Sequence, residues 1–187
     1  FKNRATTANW KVYHVGIGAE KWLKLDTTVA AGDSAGNFND TEPTSSVFSL
    51  GDDAGTNGNT NATIAYAWSE KQGFSKFGKY TGNGEDEGPF VFTGFRPAWI
   101  ITKRTDSAGG WTIFDIKRDP FNEMNSILIA ETSNTEADMT STNRNVDFIS
   151  NGFKIQYTAA GGTTELNASG GTYIYMAFAE APFVNSK

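Results

Sequence analysis

GFSKFGKYTGNGEDEGPFVFTGFRPAWIITKR, residues 73–104, lies mid-chain, is dense in glycine and aromatics, and ends on the strand signal Ala98-Trp99-Ile100-Ile101-Thr102. The segment after Arg104 resembles the segment before Gly73. The stretch is therefore both the junction between two copies of a unit and the opening of the second copy.

Five blocks carry the duplication. Phe1-Lys2-Asn3-Arg4 matches Ile101-Thr102-Lys103-Arg104 at an offset of 100, and Trp10-Lys11-Val12-Tyr13-His14 matches Trp111-Thr112-Ile113-Phe114-Asp115 at 101. Trp22-Leu23-Lys24-Leu25-Asp26 corresponds to Ile127-Leu128-Ile129-Ala130-Glu131 at 105, and Val47-Phe48-Ser49-Leu50 to Gly152-Phe153-Lys154-Ile155 at 105. Thr63-Ile64-Ala65-Tyr66-Ala67-Trp68-Ser69-Glu70 corresponds to Tyr173-Ile174-Tyr175-Met176-Ala177-Phe178-Ala179-Glu180 at 110. Blocks in one order, with offsets that grow only across turns, are the mark of an internal repeat whose loops changed length. The longer loops of the second copy fall around residues 118–125 and 159–166.

The blocks alternate as strands do. In residues 172–179, Tyr173, Tyr175, Ala177 and Ala179 share one face while Ile174, Met176 and Phe178 share the other. Both faces are apolar, which predicts a central strand. Turn-forming runs rich in Gly, Asn, Asp and Ser separate the blocks, and no helical period of useful length occurs. These features predict an all-β fold of two tandem antiparallel β-sandwich (jelly-roll-like) units. The expected units are residues 1–73 and 74–187, with 74–98 as linker and lead-in. The first unit has no counterpart of that lead-in and so lacks its opening strand. An uncovered sheet edge invites aggregation, so a preceding segment or another subunit is expected to cover it. The sequence opens on Phe1 rather than Met and carries no signal peptide, which points to truncation or processing.

Composition excludes several classes. The net charge is −5 with dispersed Lys and Arg, unlike the clustered basic surface that nucleic acid needs. No apolar run approaches the ~18–20 residues of a membrane-spanning helix. Cysteine is absent, so disulfides, thiolate metal sites and cysteine nucleophiles are impossible.

No catalytic constellation emerges. His14 is the sole histidine, and the second copy places Asp115 at its position, as expected of a polar residue at a sheet end. Glu70 and Glu180 end equivalent strands, and Asp115 and Glu131 end others. Such symmetry favours structure over a glycosidase pair. Glu85-Asp86-Glu87 and the group Asp33, Asn37, Asn39 and Asp40 offer oxygen ligands for calcium, but neither follows a calcium-loop spacing, and solvated turns explain them better. Gly82-Asn83-Gly84 lacks the Lys-Ser/Thr of a phosphate loop. Trp10, Trp68, Trp99 and Trp111 lie in strand blocks and are expected in the core. Phe74, Phe77, Tyr80 and Trp99 are expected to pack between units or subunits. Trp22, Phe38 and Phe121, near turns, are candidates for stacking on a sugar ring.

The runs Gly73-Phe74-Ser75-Lys76-Phe77-Gly78-Lys79-Tyr80-Thr81-Gly82-Asn83-Gly84, Gly88-Pro89-Phe90-Val91 and Gly94-Phe95-Arg96-Pro97-Ala98-Trp99 resemble a repeat of tail-associated proteins of marine bacteriophages. So do Lys103-Arg104-Thr105-Asp106, Phe148-Ile149-Ser150-Asn151-Gly152-Phe153-Lys154 and the closing Asn167–Glu180 run. The resemblance covers the second copy and, more loosely, the first. It implies a structural component of a virion appendage such as a tail fibre, with a part in host attachment. It also implies a homo-oligomer, by class analogy a trimer, beside other virion proteins, located in the virion and extracellular when exposed. The alternative is a lectin-like module for host glycans. A non-phage filament subunit and a polysaccharide-degrading enzyme remain further readings.

Overall fold

The computed structural model describes residues 1–138, 144–156 and 164–183. The first half holds β1 (Lys2–Asn3), β2 (Lys11–Val12), β3 (Lys21–Lys24), β4 (Gly32–Asp33) and β5 (Thr63–Ile64), with the single helical turns α1 (Ala35–Phe38) and α2 (Ala54–Asn57). The second holds β6 (Ser75–Thr81), β7 (Glu87–Phe92), β8 (Pro97–Arg104), β9 (Trp111–Asp115), β10 (Ser126–Ile129), β11 (Ala137–Asp138), β12 (Asn145–Ile149), β13 (Gly152–Gln156), the turn α3 (Thr164–Asn167) and β14 (Thr172–Ala179). The fold is all-β. The loop expected around 159–166 lies mostly outside the described residues.

Every strand pair is antiparallel. A six-stranded sheet runs β11-β10-β9-β8-β14-β6, a three-stranded sheet β12-β13-β7, and the first half adds β2-β3-β4 and the pair β1-β5. β14 is central as its two apolar faces predict, with β8 on one side and β6 on the other. Pro97, which has no N–H to give a ladder, stands at the first residue of β8.

The hydrogen-bond registers of the second half repeat those of the first. Lys2 faces Ile64 in β1·β5, and Lys103 faces Ile174 in β8·β14. Val12 faces Leu23 as Ile113 faces Leu128, and Lys11 faces Lys24 as Thr112 faces Ile129. Trp22 faces Gly32 as Ile127 faces Ala137. Bonds beyond the ladders agree: the Leu25 amide donates to the Trp10 carbonyl as the Ala130 amide does to that of Trp111. These pairs obey offsets of 101, 105 and 110. They correct the first block, which aligns at 101 (2 to 103) rather than 100, placing Lys103 at the position of Lys2.

Two cores follow from strand alternation. Tyr173, Tyr175, Ala177 and Ala179 point from β14 into the larger one, where they meet Ile100, Phe114 and Ile127 of the same sheet and Val91, Phe148, Phe153 and Ile155 of the three-stranded sheet. Ile174 and Met176 point the other way, into a second core that Trp99, Ile101, Trp111 and Ile113 share with Val12, Leu23 and Leu25 of the first half. The six-stranded sheet therefore has the three-stranded sheet on one face and the first half on the other. Polar ties cross the second interface. Trp111 Nε1 donates to the Lys24 carbonyl at 2.8 Å, the Ala31 amide to the Thr105 carbonyl at 2.8 Å, and Lys103 Nζ to the Thr28 carbonyl at 3.2 Å.

Two blocks depart from expectation. Residues 47–50, aligned with β13, form no strand, and Val47 and Phe48 are exposed. β5 stops at Ile64, whereas its counterpart β14 continues to Ala179. The reason is supply of partners: β14 has a strand on each side, while β5 has only the two residues of β1. A strand without neighbours leaves its backbone groups unpaired. Trp68, expected in the core, is consequently 59% exposed.

Candidate functional site

Between the two halves lies a cleft of about 1020 Å³. Its floor is the second-core face of the six-stranded sheet, with Phe77, Trp99, Ile101, Ile113, Ile174 and Met176. Its walls come from the first half: the strand end 12–14, the segment 66–68, and Phe1, Phe38 and Phe48. At the rim, Trp10, Tyr66 and Trp68 stack in series, with successive ring centroids 6.2 Å apart and planes within 28°. Tyr66 is 56% exposed. Phe1, Phe38, Phe48 and Tyr13 form a second aromatic group, Phe1 lying 5.6 Å from Phe38 and 5.1 Å from Phe48. Pockets of this kind, largely apolar with a few polar groups, are the usual form of binding sites.

Three polar side chains of the cleft, His14, Tyr13 and Glu70, are already engaged. His14 Nδ1 accepts the Gly16 amide at 3.0 Å, so Nε2 carries the proton and donates to the Tyr175 carbonyl at 3.0 Å. Burial pushes its pKa down to about 4, against smaller opposing effects of the Tyr175 carbonyl and Glu70. Tyr13 donates to Glu42 at 2.5 Å, and burial followed by that carboxylate raises its pKa. Glu70 accepts the Phe77 amide at 2.9 Å and pairs with Lys76 at 2.9 Å. Burial pushes Tyr175 up to about 12.

The other carboxylates weighed from the sequence are placed in the same way. Glu131 accepts the Trp111 amide at 2.9 Å as Asp26 accepts that of Trp10 at 3.2 Å, and Glu180 pairs with Arg96 at 2.6 Å. In the acidic turn, Glu87 pairs with Lys154, and the loop is fastened to α3. Asn167 accepts the Asn83 amide at 2.9 Å and donates to Asn83 Oδ1 and the Glu85 carbonyl, each at 2.9 Å. Asn39, the αL residue that ends α1, has φ 53°, and Asp40 follows at φ 45°. Among the described residues no group of three or more His, Asp or Glu side chains is placed to hold a metal ion.

Of the residues expected between units, Phe74, Phe77 and Trp99 gather round the ring of Phe178 at 5.8, 6.1 and 5.9 Å, and Phe77 and Trp99 line the cleft. Tyr80 lies elsewhere. It points into the larger core, stacks on Tyr173 at 4.9 Å and donates to the Leu166 carbonyl at 3.0 Å. The alternation of β6 puts Phe77 and Tyr80, three apart, on opposite faces.

The three candidates for sugar stacking have different fates. Lys11 Nζ sits 3.9 Å over the Trp22 ring and Lys24 Nζ 5.4 Å from it, while Gly32 packs so close that a Cβ there would lie 2.3 Å from Trp22 Cζ2. Its faces are taken. Phe38 is 3% exposed, in the wall beside Phe1 and Tyr13. Phe121 is 78% exposed and is not part of the cleft lining. Tyr66 and Trp68 were missed because their block aligns with a buried strand. The signal available was in the repeat itself: within residues 1–72 nothing corresponds to the run 75–98, which supplies strands beside β14.

No curated protein and no solved structure shows a significant match to this sequence. Residues 1–182 do match one family, and the chain belongs to it: the domain of unknown function DUF7483.

Proposed function

We propose that this protein is a non-enzymatic structural module of a bacteriophage virion appendage, of the tail-fibre kind, that assembles through its aromatic cleft. The setting is supported by the resemblance of the run from Gly73 to Trp99 to repeats of tail-associated proteins. The mode of action is supported by one observation: Tyr66 and Trp68 stand more than half exposed at the rim of a largely apolar cleft, with Val15 and Phe48 of its lining also exposed. Contiguous apolar surface of this kind marks a protein interaction site. The engaged state of His14, Glu70 and Tyr13 leaves the cleft suited to burial rather than proton transfer.

The test is assembly. Trp68→Asp places a charge on the rim without touching either core. Native assembly of the full-length protein, read by light scattering and by mass spectrometry of purified particles, is expected to fail while circular dichroism stays unchanged. Unaltered assembly overturns the proposal. Glycan-array binding that vanishes in this variant while assembly persists replaces it with the lectin reading.

A further inference from the structure

The repeat identifies what the cleft accepts. In the second half, β8 lies between β9 and β14. There Trp99 faces Asp115 and Phe178, Ile100 faces Phe114 and Ala177, and Ile101 faces Ile113 and Met176. The offsets found for the strands concerned, 101 for β2 against β9 and 110 for β5 against β14, convert these flanks to Val12, Tyr13 and His14 on one side and Tyr66, Ala67 and Trp68 on the other. All six residues line the cleft. Neither 13–14 nor 66–68 takes part in any ladder among the described residues. Two strand-like edges thus face a common gap at the place where the second half holds one strand.

The side-chain chemistry agrees. The halves meet through equivalent faces, since Trp10 and Trp111, Val12 and Ile113, and Leu25 and Ala130 all line the cleft. From the second half, Trp99 and Ile101 of β8 contribute to this shared core. Their equivalents from the first half would project into the cleft itself. Register also fixes the direction. The position facing Val12 and Tyr66 immediately precedes Phe1, whose backbone nitrogen already donates to the Lys11 carbonyl at 2.8 Å.

We propose that the cleft is a slot for a single extended strand that leads directly into Phe1, with the alternating chemistry of Pro97-Ala98-Trp99-Ile100-Ile101. The strand pairs with residues 12–14 on one edge and 66–68 on the other, in the manner of β-strand addition. Its aromatic residue stands between His14 and Trp68, and its aliphatic residues close the shared core. The inference shares with the proposed function the premise that the cleft accepts polypeptide, and it names the occupant independently of whether assembly uses the cleft.

The experiment joins the octapeptide Gly-Phe-Arg-Pro-Ala-Trp-Ile-Ile, the sequence of residues 94–101, directly to Phe1 of the full chain. Hydrogen exchange is then followed at the amides of Tyr13, Tyr66 and Trp68, the ones that the alternation of an antiparallel ladder turns toward the slot, given that Phe1 and Lys11 exchange both backbone bonds and the Arg4 amide donates to the Ala62 carbonyl. At least tenfold slower exchange at these amides, lost when the joined Trp is replaced by Asp, is expected. Unchanged exchange in the joined protein overturns the slot. A free octapeptide that protects the same amides equally at micromolar concentration overturns the entry ahead of Phe1, because a tethered segment acts at an effective concentration of about millimolar. The two proposals fail separately. Loss of assembly in Trp68→Asp with no protection by the joined strand leaves the docking surface standing and removes the slot; protection with normal assembly does the reverse.

Discussion

His14 and Asp115 hold the same turn in the two halves. His14 Nδ1 accepts the Gly16 amide at 3.0 Å, and Asp115 Oδ1 accepts the Lys117 amide at 2.8 Å. The backbone repeats too: the amides of Ile17 and Gly18 donate to the His14 carbonyl, and those of Arg118 and Asp119 to that of Asp115. What differs is reach. The imidazole also donates to the Tyr175 carbonyl in the six-stranded sheet, so one residue both closes its turn and ties the halves together.

That tie depends on pH. Burial lowers the His14 pKa from 6.5 to about 4, so below 6.5 the unfolded chain takes up a proton that the folded chain refuses. Stability is expected to fall as pH drops from 6.5 toward 4, by up to about 3 kcal/mol. His14→Asn should flatten this slope. Urea midpoints at pH 7, 5.5 and 4.5 measure it, above the range where Asp106, held down to about 2 by Arg104, begins to titrate.

Lys103 carries the same sign in a higher pH window. It is fully buried, donates to the Thr28 and Arg104 carbonyls, and burial lowers its pKa to about 8 against the attraction of Glu131 and Glu165. Between 8 and 10.5 the folded chain releases a proton that the unfolded chain retains, so stability rises with pH. The denaturation midpoint should increase from pH 8 to 9.5 in the native protein and stay level in Lys103→Met.

Gly152 tests the larger core. A Cβ there would lie 2.1 Å from the Val91 carbonyl oxygen, across the β13·β7 ladder. The neighbour is backbone and cannot swing aside. Gly152→Ala is expected to destabilise by about 3 kcal/mol, read as a lower urea midpoint with an unchanged slope.

Trp68 and Trp111 separate rim from core. Trp111 is buried and donates to the Lys24 carbonyl; its replacement by Ala should cost about 3–5 kcal/mol. Trp68 stands on the surface, and Trp68→Ala should change stability by about 0.5 kcal/mol or less. Thermal denaturation of the two variants side by side decides whether the rim aromatics serve folding or recognition.

Much of this was legible from local pattern. The alternation in residues 172–179 assigned each side chain of β14 to the correct face, and the matched blocks anticipated the paired registers of β2·β3 and β9·β10. The first block was misaligned by one residue because Lys and Arg recur side by side at 103–104, so identity alone favoured the wrong frame. Trp68 and residues 47–50 were misplaced for a different reason: similarity to a buried strand says nothing about whether neighbours exist to pair with it.

Alternation with period two belongs to each strand by itself, so the sequence alone determined the all-β fold and the two faces of its central strand. Which faces meet is a long-range matter. Burial of Leu23 and Val12 against Ile101, Trp111 and Ile174 decided that the halves share a core. The supply of backbone partners decided that β14 runs on to Ala179 while β5 ends at Ile64, because a strand persists only where an adjacent strand accepts and donates its hydrogen bonds. The cleft, with Tyr66 and Trp68 at its rim, is the product of those two decisions.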